Sequence, residues 1–111
     1  MKLARVGRLF LLRALWRGGL TRAGRALVDA LGAPDEDVRT IAGMFLVQGG
    51  DRAVPLLRAA VARREHLPLV LRMAGDVGAS EMKSEIEGFV ADPDPAVAQA
   101  ARDALRLLSR S

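Results

Sequence analysis

A chain of 111 residues has the length of one domain or a short array of repeats, and because half of it is hydrophobic a packed core is available. The absence of Cys excludes disulfides, thiolate metal sites and cysteine nucleophiles, and His66 is the only His. The net charge of +4 is uneven: residues 1–33 set seven basic side chains against Asp29 alone, while residues 34–111 hold ten basic and twelve acidic ones.

The first predicted element runs from the chain start through RLFLLRALWR, Arg8 to Arg17. At helical spacing it carries two apolar stripes. Leu3, Gly7, Phe10, Leu11 and Ala14 form one, which is expected to pack on the helices that follow. Leu9, Leu12 and Trp16, at i, i+3 and i+7, form the other among Arg5, Arg8 and Arg13, and they have no evident partner in the chain. Arg13 and Arg17 keep the segment short of the roughly 18 unbroken apolar residues of a membrane span. Arg13 and the following GGLTRAG also make a poor signal peptide. The expected location is the cytoplasm, free or peripheral on the inner membrane face.

Thr21 is placed to cap a second helix, RAGRALVDAL, with Gly24, Leu27, Val28 and Leu31 inward and Gly32 as its stop. The run Asp35-Glu36-Asp37 after Pro34 suits a third helix start, because acids favour the positive end of the helix dipole. Val38, Ile41, Ala42 and Phe45 make its buried stripe, and Gly49-Gly50 close it. Asp51 is the expected cap of a fourth helix, DRAVPLLRAAVARR, with Pro55 in its first turn and Val54, Leu57 and Val61 inward. LPLVLRMAGDVG reads as a fifth helix, with His66 a solvated or capping residue at its start. SEMKSEIEGFVA, capped by Ser80, is the sixth. Asp94 and Pro95 open the seventh, whose apolar stripe is Val97, Ala100, Ala101, Ala104, Leu105 and Leu108. Its opposite side, with Gln99, Arg102, Asp103, Arg106 and Arg110, is polar. No window alternates with period two, so the expectation is seven helices and no strand.

Val38, Leu67 and Val97 hold matching places near three helix starts, 29 and then 30 residues apart. Two helices per such period indicate a stacked helical solenoid. Residues APDEDVRTIAGMFLVQGGDRAVPLL, Ala33 to Leu57, resemble a unit of the HEAT-like repeat family through Asp35, Val38, Arg39, Ala42, Leu46, Asp51, Val54, Pro55 and Leu57. ADPDPAVAQAARDAL, Ala91 to Leu105, resembles the first half of another unit. The resemblance covers residues 34–110 and implies a fold rather than an activity. It implies an all-α, short right-handed α-solenoid of about three and a half helix-pair repeats. With the basic, doubly apolar first segment read separately, the expected division is residues 1–19 as a basic attachment helix and Gly-Gly turn and 20–111 as the repeat domain.

No catalytic constellation emerges. Asp35, Glu36 and Asp37 are contiguous and read as a helix start; Glu81 and Glu85 lie one turn apart without a His or further acid; the Gly-Gly pairs fit no phosphate loop. The expected function is therefore a non-catalytic protein–protein interaction scaffold or accessory subunit, with no cofactor and no metal. Its docking surface is expected at Arg5, Arg8, Leu9, Leu12, Arg13 and Trp16, facing another protein or a second copy of the chain. The alternatives are nucleic acid held by inner-helix arginines Arg22, Arg25, Arg58 and Arg63, and an anionic membrane surface.

Overall fold

The computed structural model describes residues 2–110. The described residues are all-helical: α1 (Lys2–Arg17), α2 (Thr21–Asp29), α3 (Glu36–Gln48), α4 (Val54–Ala62), α5 (Leu67–Val77), α6 (Lys83–Glu87) and α7 (Pro95–Ser109), with three short 3₁₀ turns and no strand among them. All seven expected helices are present. The chain divides into two compact units, one ending at Gly49 and one beginning at Gly50. α1 thus belongs to the same compact unit as α2 and α3.

In the first unit α1, α2 and α3 pack against one another. Leu27, Val28 and Leu31, with Val38, Ala42, Phe45 and Leu46 of α3, are buried as their helical spacing requires. Asp35 caps α3: its Oδ1 accepts from the Asp37 amide at 2.8 Å. Arg39 donates to the Ala33 and Pro34 carbonyls at 2.7 and 2.9 Å and so ties the α2–α3 connection to α3.

In the second unit α4 packs on α5, while α5 and α6 pack on α7. Leu57, Val70, Leu71, Met82 and Ile86 are fully buried, as are Ala100, Ala101 and Ala104 along α7. Small residues let α5 and α7 approach closely. A Cβ built on Gly75 would lie 2.9 Å from the Ala104 Cα, so only glycine fits there without a backbone shift. Asp94 caps α7 through the Ala96 amide at 2.9 Å, with Pro95 at the first helical position.

The other expected caps are not used. Leu20 precedes α2 without a side-chain cap, so Thr21 is already helical. Asp51 and Ser80 are drawn into 3₁₀ turns, Gly50–Ala53 and Ser80–Met82, which shorten α4 and α6 from their N-terminal ends. His66 occupies the cap position of α5 with φ of 47° and makes no side-chain cap bond. It and Arg64, at φ 56°, are non-glycine residues in the left-handed region, which closes the α4–α5 turn tightly.

Arginines hold the loops of this unit. Arg58 pairs with Glu85 at 2.8 Å and donates to the Glu81 carbonyl at 2.7 Å. Arg64 pairs with Asp92 at 3.1 Å and lies 5.8 Å from the Phe89 ring centroid. Arg102 donates to the Val90 carbonyl at 3.0 Å, and Arg106 pairs with Asp103.

Two outcomes follow. Gly75→Ala should lower stability by about 1–3 kcal/mol in a denaturant melt, because the added methyl forces the α5–α7 crossing apart. The Asp92 carboxyl is held below its ordinary pKa, first by the Asp94 amide at 3.0 Å and then by Arg64. A lowered folded-state pKa contributes stability that is present above the ordinary carboxylate range near about pH 4 and is lost as pH falls through the lowered value. Asp92→Asn should accordingly reduce the melting temperature at neutral pH and shrink the further loss on acidification.

Candidate attachment face on the first helix

Rotation of α1 about its axis decides which of its two apolar stripes is core. The structure turns Leu9 and Trp16 inward, at 1% and 4% exposure, with Leu12 half-buried beside them. The other stripe is outward: Leu3 is 86% exposed, Leu11 58%, Phe10 49% and Leu15 41%, with Gly7 and Ala14 also exposed. This reverses the sequence-based assignment, in which Leu9, Leu12 and Trp16 faced a partner and Leu3, Phe10 and Leu11 faced the body of the chain.

The reason lies at the end of α3. A Cβ built on Gly49 would stand 2.4 Å from Trp16 Cη2 and 2.9 Å from Cζ3, so the indole occupies space that only the missing side chain leaves. The largest apolar side chain of α1 is seated there, and its helical neighbours one and two turns back, Leu12 and Leu9, follow it inward.

Of the expected docking residues, Leu9 and Trp16 are therefore core, and Leu12 lies on their side of the helix. Arg13 is also engaged internally. Its guanidinium stands 4.6 Å from the Phe45 ring centroid and 5.4 Å from that of Phe10. The two rings meet edge-on, 5.1 Å apart at 72°. Phe10 is consequently anchored at one edge and exposed at the other. Its exposed side chain could not be foreseen from periodicity, which groups it with Leu3 and Leu11 but does not say which way the group points.

Arg5 and Arg8 are exposed, as expected, and rim an open hollow of about 380 Å³ floored by Leu9 and Val38. Arg5, Arg8, Arg17 and Arg22 form no ion pair or hydrogen bond among the described residues. The inner-helix arginines of the nucleic-acid alternative divide differently. Arg25 pairs with Asp29 at 3.5 Å, Arg58 with Glu85, and Arg63 with Glu65 at 3.7 Å. Three of those four cations already face carboxylates, and only Arg22 is free to meet a phosphate. The Glu85 bond is the first cause that raises the Arg58 pKa above its ordinary value.

Among the described residues no three His, Asp or Glu side chains gather in a way that could hold a metal ion, and no helix is long and apolar enough to cross a membrane. No protein-family model, curated protein or solved structure matches the chain.

The buried and exposed stripes of α1 should respond oppositely to mutation. Trp16→Ala should cost about 3–5 kcal/mol, whereas Leu11→Ser should change stability by no more than about 0.5 kcal/mol. Thermal melts of the two single variants measure the difference.

Proposed function

We propose that this chain is a non-catalytic helical scaffold of HEAT-like type that attaches to a larger structure through the outward face of α1. The observation that carries the reading is the row of Leu3, Phe10, Leu11 and Leu15 left in water on one side of a helix whose other side is core. Side chains of this size forgo roughly 1.5–3 kcal/mol each when they stay exposed, and contiguous apolar surface of this kind marks interaction sites. The repeat-like part of the reading draws support from the contacts within each unit, which join helices adjacent or next but one in sequence. The polar outer side of α7, with Gln99, Arg102, Arg106 and Arg110 exposed, suits the closing helix of such an array. The docking residues of this proposal are Leu3, Phe10, Leu11 and Leu15, with Arg5, Arg8 and Arg17 around them.

The test is fractionation of tagged chains from their own cells. The wild-type chain should travel with a larger assembly or with the membrane fraction, and the Leu3→Ser, Leu11→Ser, Leu15→Ser triple variant should travel as a free 11.9 kDa species with its helix content intact. A wild-type chain recovered only as the free species overturns the proposal.

A further inference from the structure

We infer that the occupant of the outward α1 face is the surface of an anionic lipid bilayer; this rests on the attachment reading above and names its partner. α1 carries no acidic side chain, and the only acid before residue 34 is Asp29, which Arg25 engages at 3.5 Å. Around the axis the apolar ridge of Leu3, Gly7, Phe10, Leu11, Ala14 and Leu15 is bordered by Arg8 next to Leu15 on one edge and by Arg17 next to Phe10 on the other, each seven residues and so about 20° from that neighbour at 3.6 residues per turn. Both arginines are exposed and have no partner among the described residues.

An apolar ridge with a free cation at each edge matches a headgroup layer, where the ridge enters the acyl boundary and the arginine stems lie along it with their charges among the phosphates. What sets the first helix apart is the lack of acids beside its unpaired arginines. In the second unit Arg58, Arg63, Arg64 and Arg106 have carboxylate partners, and the exposed Arg52, Arg72 and Arg110, which have no side-chain partner among the described residues, are interspersed with acidic residues. A second copy of the chain fits the same face poorly. Two such ridges brought together would set Arg8 and Arg17 of each copy against the same cations of the other, with no acid on either helix to separate them.

The experiment is co-sedimentation of the full chain with phosphatidylcholine vesicles, with and without phosphatidylglycerol. The wild-type chain should pellet with the anionic vesicles and bind the neutral ones at least about tenfold more weakly, with the difference shrinking as salt is raised. The Leu3, Leu11, Leu15 triple serine variant and a separate Arg8→Gln, Arg17→Gln variant should each lose about tenfold or more of the anionic binding while keeping wild-type melts. Brominated lipids supply a geometric check. A Leu11→Trp chain should be quenched, and the wild-type chain, whose only Trp is the buried Trp16, should not. A folded wild-type chain that ignores anionic vesicles overturns the lipid assignment, as does quenching of Trp16 itself. If that chain instead dimerises, or co-purifies with a defined protein, through contacts that the triple variant loses, the lipid assignment falls and the attachment reading stands.

Discussion

Trp16 rests in the space that Gly49 leaves by having no side chain, and the rest of the first unit is arranged around that fit. A helix with two apolar stripes can turn either one toward a core. Seating the indole against the last residues of α3 fixes the rotation, brings Leu9 beneath the same surface, and carries Arg13 over the Phe45 ring. The guanidinium itself lies over the aromatic face, which attracts its charge, and Arg13 is only half-buried, so a cation on this side is tolerated. Gly7, Leu11 and Ala14 are left on the far side as the geometric consequence.

The arginines of the chain do two kinds of work. In the second unit two of them join segments distant in sequence: Arg58 links α4 to α6, and Arg64 links the α4–α5 turn to the loop before α7. The exposed Arg58–Glu85 pair contributes at most about 1 kcal/mol, so it selects a loop position more than it supplies stability. Stability comes from burial, including the close approach of α5 and α7 over Gly75 and Ala104, where alanine-rich surfaces give many short contacts. At α1 the arginines have no such partners, and their charge is available to something outside the chain.

These two features together give α1 a double role. One side closes the core of its unit, and the other presents Leu3, Phe10, Leu11 and Leu15 between free cations. Phe10 connects the two sides, because its ring edge meets the buried Phe45 while the remainder is in water.

The amino-acid pattern by itself determined the helical class, the seven helices, the caps at Asp35 and Asp94, the punctuation by Gly49 and Gly78, the buried stripes of α2 and α4, and those of α3 and α7 apart from the half-buried Ile41 and Leu105. Those features depend on neighbours within one or two turns, and spacing reports them directly. In α2 or α7 one face is apolar and the other polar, so periodicity leaves a single way to turn the helix. In α1 both faces are apolar and arginines lie between them, so periodicity alone leaves two. Thr21, Asp51 and Ser80 likewise had the right chemistry for caps, but helix starts shift with the 3₁₀ turns that fit each loop to its unit. Only the tertiary structure decided between the two rotations of α1. The deciding contact joins residues 16 and 49, too far apart in sequence for any helical period to record, and it depends on a side chain that glycine lacks.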